Sequence, residues 1–230
     1  MKRNINENIK GAFRLCLVGC AICAALLVLS SCANDAYDKD EGDYSLMQAE
    51  MAEIHINSNV LVDYFITDSN DRYSVATPFK NSWMTTPDST YRAVAYFNKR
   101  DDGMADVIGL SRVGVLMPKR LKNLKTDPVR FESVWISPNR AYLNAGIYLL
   151  MGSTDDEQAI HTLGCHIDTL HRNDDGTETM QLTLHHDQGG VPEYYSQRTY
   201  VSIPLKDAMT DSVCITIHTY DGIVRKTFKR

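Results

Sequence analysis

The chain lacks an apolar run long enough to cross a membrane as a helix. Its longest apolar run, Leu15 to Leu29, has 15 residues in a chain of 230, whereas a membrane-spanning helix needs roughly 20. Four basic side chains precede this run, at positions 2, 3, 10 and 14. A basic segment followed by a short apolar core is typical of a secretory signal peptide, so we predict export of the chain.

The chain also lacks an excess of positive charge. It carries 24 Lys and Arg against 29 Asp and Glu, a formal net charge of −5. Residues 1–31 hold four of the basic side chains and one acidic one, so the chain without them carries 20 against 28, or −8. Because phosphate groups are neutralised by Lys and Arg, this balance argues against nucleic acid as a partner.

Sequence motifs of common enzymes are absent. The sequence has no Gly-x-Ser-x-Gly nucleophile elbow, no G-x-x-x-x-G-K-[ST] phosphate loop and no G-x-G-x-x-G fingerprint. We therefore predict that the protein is not an enzyme and uses no cofactor. The two carboxylates of a glycoside hydrolase are related by spatial rather than sequential spacing, which leaves an envelope hydrolase acting on glycan or peptide as the alternative.

Cysteine is scarce outside the N-terminal apolar run. Three of the six cysteines, Cys16, Cys20 and Cys23, lie within it. Their C-x3-C-x2-C spacing is that of radical S-adenosylmethionine iron–sulfur sites. Every neighbour is apolar, however, so we interpret these cysteines as small hydrophobic residues of a signal core that is removed.

The apolar run ends at a fourth cysteine, Cys32. Leu29-Ser30-Ser31-Cys32 resembles the lipobox of bacterial lipoproteins, in which a peptidase cuts before a cysteine whose thiol carries a diacylglycerol. The resemblance implies a signal peptide over residues 1–31 and attachment to the outer membrane through lipid on Cys32. Several acyl chains would anchor the protein firmly, whereas a single chain binds a membrane only marginally. An uncleaved signal anchor with an incidental cysteine is the alternative.

Residues 32–45 are polar and acidic, and they contain almost no aliphatic side chains. This composition predicts a flexible tether. Acidic residues shortly after a lipidated cysteine resemble the surface-export signal of some Gram-negative lipoproteins, but here Asp38, Asp40 and Glu41 lie further from the cysteine than in that pattern. Both a periplasmic and a surface-exposed location in the cell envelope therefore stay open.

From residue 46 onward the sequence is typical of an all-β protein. Five segments with strand-like alternation fall within residues 46–118, and seven more fall within residues 127–230. Turns ending in Gly103, Gly176 and Gly222 separate several of them. The first half predicts a small barrel or sandwich and the second an antiparallel β-sandwich, with one helical turn at residues 205–209.

The segment between the two halves is basic, is bounded by Pro118 and Pro128, and lacks strand alternation. We place a domain boundary there. One continuous β domain with a long connection is the alternative.

The two remaining cysteines, Cys165 and Cys214, each lie in a predicted strand. The cell envelope is oxidising, so a disulfide between the two strands is permitted and is kept as one hypothesis. Two buried free thiols are the state that we favour.

Histidines are candidates for a metal site in the second half. His161 and His166, five residues apart, would point to opposite faces of a strand, whereas His166 and Asp168 would share one face. A neighbouring strand offers further zinc-binding groups in His185, His186 and Asp187. Histidines hydrogen-bonded in or beside the sandwich are the interpretation that we favour, and we predict no metal.

Aromatic side chains are candidates for a binding platform. Five of them, Trp83, Trp135, Tyr194, Tyr195 and Tyr200, could stack on a glycan or a peptide. Packing in the core and at the edges of the β structure is the alternative that we favour.

Several short phrases occur in an order that resembles the NigD-like lipoprotein family. They are "VGVLMP", "DPVRFESVWIS", "AYLNAGIYLL", "IHTLGCHI" and "LTLHHDQGG", preceded by the lipobox. The resemblance implies an N-terminal OB-type barrel over residues 46–118, a C-terminal β-sandwich over residues 127–230, and an envelope location. The family supplies no catalytic residues to carry over.

These observations predict a lipid-anchored cell-envelope protein that binds or interacts without catalysis. Its partners would be the membrane, through Cys32, and a protein or glycan ligand. An immunity-type protein that blocks a bacteriocin is a further alternative, which only the family's name suggests.

Overall fold

A computed structural model describes residues 46–206 and 210–230. The predicted signal peptide, the tether with Cys32, and residues 207–209 of the predicted helical turn lie outside the described residues. No helix in the part of the chain that the structure describes could cross a membrane. The fold is all-β, as the sequence predicts.

The first five strands form a closed barrel. They are β1 (Gln48–Ile56), β2 (Val62–Thr67), β3 (Arg72–Phe79), β4 (Ser89–Lys99) and β5 (Met104–Arg112). Their order around the barrel is β1-β2-β3-β5-β4, and β4 closes it by antiparallel pairing with β1. The five strands and their closure confirm the small OB-like barrel expected for the first half of the chain.

Alternate residues of these strands fill the barrel. Ile54, Phe65 and Phe97 are fully buried, and the rings of Phe65 and Phe97 meet edge to face with centroids 4.9 Å apart. Met84, from the loop between β3 and β4, is also fully buried against this core. Burial of one such side chain contributes about 1.5–3 kcal/mol. The two-residue alternation of the sequence therefore accounts for the strand side chains of the core, whereas Met84 is added by a loop.

The remaining nine strands form two packed sheets. They are β6 (Gly114–Val115), β7 (Pro118–Lys119), β8 (Arg130–Ile136), β9 (Tyr142–Met151), β10 (Thr162–Arg172), β11 (Glu178–Asp187), β12 (Tyr195–Pro204), β13 (Ser212–Thr219) and β14 (Gly222–Lys229). One sheet has the order β14-β13-β11-β10-β7 and the other β6-β12-β9-β8. Apolar residues from both sheets, including Leu143, Ile147, Leu182, Ile203 and Ile215, form the sandwich core.

The sandwich is not antiparallel throughout. β11 pairs with β13 in parallel, because the chain leaves β11, crosses to the other sheet as β12, and returns to the first sheet as β13. The short strands β6 and β7 also add in parallel, to β12 and β10 respectively. The long neighbouring strands β8, β9 and β12, and the pairs β10–β11 and β13–β14, are antiparallel as the sequence predicts.

Residues 120–129, here called the connector, run along the five-stranded sheet. Thr126 forms a parallel bridge with His186, and Val129 forms one with Thr219. The two short strands before the connector already pair with sandwich strands. The domain boundary placed between residues 118 and 127 stays a prediction, but the segment that joins the two halves takes part in the hydrogen bonding of the sandwich.

A buried arginine joins the barrel to the sandwich. Arg92 on β4 places Nη1 2.7 Å from Oδ1 of Asp68 and donates from Nη2 to Oδ2 of Asp68 at 2.7 Å. Its Nε–H donates to Oγ of Ser202 at 3.1 Å, and Nη2 also lies 3.3 Å from Oδ1 of Asn144. All four residues are buried. Because a buried charge is tolerated only when it is paired and hydrogen-bonded, this network holds the two halves in one arrangement.

Tyr142 on β9 extends this network toward solvent. The guanidinium carbon of Arg92 lies 4.1 Å from the centroid of the Tyr142 ring, and the Tyr142 hydroxyl donates to Oε1 of Glu53 at 2.6 Å. The same Glu53 oxygen lies 3.5 Å from Nζ of Lys206. Burial, together with the neighbouring Glu53 carboxylate, raises the pKa of Tyr142, so this phenol stays neutral and acts as a hydrogen-bond donor.

Candidate functional site

The four-stranded sheet carries a cleft with an aromatic lining beside the β13–β14 turn. The cleft has a volume of about 590 Å³. It is lined by Arg130, Phe131, Tyr148, Ser196, Tyr220 and Asp221. We call it the aromatic cleft. Ligand pockets typically combine apolar and aromatic walls with a few polar groups that orient the ligand, and this lining has that composition.

Further aromatic and charged side chains continue along the same sheet face. Arg198, which pairs with Tyr148 across β9 and β12, donates from Nε to Oε2 of Glu132 at 2.8 Å and from Nη2 to the other carboxylate oxygen. Its guanidinium carbon lies 4.7 Å from the centroid of the Tyr200 ring. Tyr200 meets Trp135 edge to face with centroids 6.4 Å apart. These contacts hold flat side chains in fixed positions beside the aromatic cleft.

Gly146 allows these side chains to lie close to the sheet. A Cβ atom at this position would be 2.8 Å from Oε2 of Glu132 and 3.1 Å from Cε1 of Tyr200. Glycine within a strand often marks such a close approach. The phrase "AYLNAGIYLL" therefore contained a local signal for this surface, in a glycine within an otherwise apolar strand.

The five aromatic residues named from the sequence do not form one platform. Trp135 and Tyr200 lie together, and Tyr194 and Tyr195 are 78% and 56% exposed next to Ser196. Trp83 instead packs against the barrel core and meets Tyr91 edge to face at 5.8 Å. Packing in the core therefore describes Trp83. Tyr194 and Tyr195 lie exposed at the surface, as the residues of a binding platform would.

Sequence reasoning missed Tyr148 and Tyr220, which line the aromatic cleft. Tyr148 lies in a strand whose other residues are mostly buried, and Tyr220 lies in a turn. The alternation of β9 places Tyr148 on the face opposite to Ile147 and Leu149 of the core, which was a readable signal. Nothing in the local sequence indicates that the turn at Tyr220 reaches the same cleft.

Two histidines of the five-stranded sheet hold the connector. Nδ1 of His166 accepts a hydrogen bond from the backbone N–H of Leu121 at 2.9 Å, and Nδ1 of His185 accepts one from Lys125 at 2.9 Å. Nε2 of His166 lies 3.8 Å from Asp168. The Nδ1 atoms of His166 and His185 are both engaged by backbone N–H groups.

Within residues 46–206 and 210–230, no three His, Cys, Asp or Glu side chains are grouped so that they could hold a metal ion.

Two other histidines, in contact with each other, link two backbone carbonyl groups. Nε2 of His161 lies 3.1 Å from the carbonyl oxygen of Leu150, and Nδ1 of His161 lies 3.0 Å from Nε2 of His186. Nδ1 of His186 lies 2.9 Å from the carbonyl oxygen of Asp127. Since a carbonyl only accepts, the two outer ring nitrogens are the donors of these contacts.

His161 is the ring of this pair whose protonation is disfavoured. Burial and the neighbouring His186 lower the pKa of His161, so its neutral form is favoured. A neutral ring carries one hydrogen, and Nε2 of His161 needs that hydrogen for its contact with the Leu150 carbonyl oxygen.

The two remaining cysteines are free and buried. Cys165 lies on β10 and Cys214 on β13, with β11 between them. Two strand spacings are roughly 9–10 Å, beyond the about 7 Å that a disulfide allows between Cα atoms. Cys165 faces the sandwich core, where burial raises its pKa to about 12, whereas Cys214 alternates with the core residues Val213 and Ile215. A bridge would require both strands to rearrange.

Cys32, the predicted lipidation site, lies outside the described residues. Its assignment continues to rest on the lipobox resemblance alone.

Comparison with known families identifies the second half of the chain. The model of the NigD-like C-terminal beta sandwich domain matches residues 113–229. This range starts just before β6 and includes both sandwich sheets. No curated protein matches the chain.

Solved structures share the fold of both halves. A NigD-like immunity protein from Bacteroides caccae is 22% identical, with a TM-score of 0.60 over 78% of this chain and 91% of its own. A putative toxin-related protein from Parabacteroides distasonis is 19% identical, with a TM-score of 0.59 over 80% and 93%. A putative lipoprotein from Bacteroides fragilis is 9% identical, with a TM-score of 0.55 over 80% and 96%. At these identities the likeness shows a shared fold.

Proposed function

Because the chain belongs to the NigD-like family, we propose that it is a lipid-anchored protein of the bacterial cell envelope whose sandwich binds a glycan or peptide ligand without catalysis. The membrane anchor is lipid on Cys32, and the ligand site is the aromatic cleft. The name of the Bacteroides fragilis neighbour, a putative lipoprotein, supports the envelope location.

The observation that carries this proposal is the aromatic lining of the cleft. Tyr148 and Tyr220 offer ring faces and hydroxyl groups, and Arg130 and Asp221 offer charges of both signs at the same opening. Aromatic side chains supply large contact areas, and their polar ends orient a ligand that has both apolar and polar faces. Sugars and peptides both have such faces.

Capture from envelope extract tests the proposal. The full chain is compared with the double variant Tyr148→Ala/Tyr220→Ala and with Tyr64→Ala, a tyrosine of the barrel that lies outside the cleft. We expect the unmodified chain and Tyr64→Ala to retain the same glycan or peptide in stoichiometric amount, identified by mass spectrometry. We expect the double variant to bind it at least about tenfold more weakly, a loss of about 1.4 kcal/mol.

Equal capture by the double variant would contradict the aromatic cleft as the ligand site. Release of a shortened glycan or peptide by the unmodified chain would instead favour the envelope hydrolase. In that case two carboxylates, or a nucleophile with its base, must converge at the site of cleavage.

The Bacteroides caccae neighbour, by its description as a NigD-like immunity protein, favours a second candidate function. In that role the chain would protect a producing cell by binding a bacteriocin. The test is to express the chain in cells that are sensitive to a bacteriocin from the same strain and to challenge them with that bacteriocin. Survival of these cells would favour the immunity function over glycan or peptide binding.

A further inference from the structure

A second cleft lies where the barrel meets the sandwich, and most of its lining residues are polar or charged. It has a volume of about 500 Å³, and we call it the junction cleft. The barrel contributes Glu53 and residues 66–68 and 70, and the sandwich contributes residues 139–141 and 206 together with Arg230. This volume lies within the range of small-molecule sites.

The walls of the junction cleft are fixed to each other. The backbone N–H of Asn139 donates to the carbonyl oxygen of Asp68 at 2.9 Å, and Nδ2 of Asn139 donates to Oδ1 of Asn70 at 3.3 Å. The buried pair of Arg92 and Asp68 lies behind the same wall. A cleft held by these bonds is formed before a ligand arrives, which lowers the entropy cost of binding.

The charges that line the junction cleft do not all have partners. The carboxylate of Asp68 is paired with Arg92, and that of Glu53 lies near Lys206. Arg140 and Arg230 form no ion pair with any residue in the described ranges 46–206 and 210–230. Both arginines line the cleft and have no anionic partner there among the described residues, and guanidinium is the group best suited to carboxylate and phosphate oxygens.

Buried polar atoms without partners give independent evidence for a ligand. Thr67 is 1% exposed, and its hydroxyl has no hydrogen-bond partner among the described residues. The Nε–H of Arg230 is also buried without a partner there, although its Nη2 donates to the carbonyl oxygen of Leu205. Because nearly all buried polar groups in proteins are hydrogen-bonded, two unpartnered donors at one cleft indicate a missing acceptor.

We propose that the junction cleft binds an anionic group of a small ligand, a carboxylate or a phosphate, between Arg140 and Arg230, with the Thr67 hydroxyl as an additional donor. This site is separate from the aromatic cleft and does not depend on the function proposed for it. The anionic oxygens of the ligand act as the partner that neither arginine has among the carboxylates of the described residues.

Calorimetric titration of the full chain tests this site. The probes are sodium phosphate and sodium glucuronate, each at constant ionic strength, with sodium chloride as the reference. We expect saturable binding of at least one probe, with a dissociation constant of about 1 mM or tighter. Binding of phosphate alone or of glucuronate alone identifies the class of anion. Heats indistinguishable from those of sodium chloride for both probes would overturn the proposal.

Two sets of variants locate the binding. Arg140→Gln/Arg230→Gln removes both guanidinium groups and should weaken binding at least about tenfold. Arg100→Gln, which removes an exposed arginine already paired with Asp102 and Asp106, should bind as the unmodified chain does. Equal affinity of the double variant would overturn the assignment of the arginines.

Thr67→Val keeps the shape of the side chain and removes only its hydroxyl, so it remains informative if the arginine variant fails to fold. Removal of a buried unpartnered hydroxyl should raise the denaturation midpoint of the ligand-free protein. The same change should weaken binding of the probe. A higher midpoint with unchanged affinity would exclude the Thr67 hydroxyl from the site and overturn that part of the proposal.

Discussion

At the scale of the single residue, the histidines of the sandwich bind backbone groups of neighbouring segments. His166 and His185 accept backbone N–H groups of the connector through Nδ1. His161 and His186 contact each other, and their outer nitrogens bind the carbonyl oxygens of Leu150 and Asp127. These hydrogen bonds tie neighbouring segments to the sandwich, and His161 is the ring among them whose pKa burial lowers.

We predict that acidification destabilises the protein partly through His161. Its pKa in the folded chain is lower than its ordinary value of 6.5, so the folded state binds this proton less well than the unfolded state. The stabilisation is fully present above pH 6.5 and is lost as pH falls through the lowered pKa. Urea unfolding at several pH values between about 5 and 8 measures this slope.

The variant His161→Gln should show a shallower decrease of the free energy of unfolding with falling pH than the unmodified chain. His171→Gln changes an exposed histidine at the end of β10 and serves as the control. Identical slopes for the unmodified chain and His161→Gln would contradict the role of His161 in the pair.

A second prediction at this scale concerns Cys32. Cys32→Ala should abolish incorporation of a labelled fatty acid and release the protein from the membrane fraction, because we propose its thiol as the attachment point of the diacylglycerol. Cys165→Ala, which removes a buried thiol, should leave labelling unchanged. Continued labelling of Cys32→Ala would refute the lipobox assignment.

At the scale of the element, glycine decides where strands turn and where side chains approach a sheet. Gly103, Gly176 and Gly222 have φ values of +79°, +84° and +119° and lie in the turns that the sequence indicates. Gly146 has a different role, because it lies within β9 and leaves room for Glu132 and Tyr200. The first three were predictable from local turn chemistry, whereas a glycine within a strand indicates a close approach without identifying the side chains that make it.

We predict that Gly146→Ala disturbs the face beside the aromatic cleft. The added Cβ would displace the Glu132 carboxylate from Arg198 and press on the Tyr200 ring, at a cost of about 1–3 kcal/mol in the free energy of unfolding. Gly109→Ala is the matched control, since its Cβ would have only Tyr96 nearby, at 4.0 Å. Denaturant unfolding of the two variants measures this cost. Equal midpoints for Gly146→Ala and Gly109→Ala would show that the sheet face accommodates the added Cβ without loss of stability.

At the scale of the whole molecule, one buried ion pair determines how the barrel and the sandwich are joined. Arg92 comes from barrel strand β4 and contacts Asp68 of the barrel and Ser202 and Asn144 of the sandwich. The hydroxyl of Ser202 also donates to Oδ1 of Asn144 at 2.7 Å. The two clefts have different origins in this arrangement, because the junction cleft needs both halves and the aromatic cleft needs only the sandwich.

We predict that Arg92→Leu destabilises the protein by about 3–5 kcal/mol, because it leaves the Asp68 carboxylate buried without its partner. The double variant Arg92→Leu/Asp68→Asn should recover part of this loss. Arg100→Leu, at an exposed arginine, should change stability by less than about 0.5 kcal/mol. Chemical denaturation measures all three, and similar effects of Arg92→Leu and Arg100→Leu would contradict the central role of the junction.

The sequence by itself determined the class of fold and most strand positions, because alternation with a period of two and glycine turns are local properties. The fully buried side chains Ile54, Phe65 and Phe97 follow from that alternation. The ordered phrases of the second half also determined the family, which the match over residues 113–229 confirms.

Only the tertiary structure decided which residues meet. Tyr220 joins Tyr148 because the β13–β14 turn of one sheet lies beside the other sheet, and no local pattern encodes that proximity. Arg140 and Arg230 share the junction cleft for the same reason, although they are far apart in the chain. Alternation fixes which face of a strand a side chain occupies, but strand order and the packing of barrel on sandwich depend on contacts between distant segments. Both candidate sites in this protein are built from such contacts.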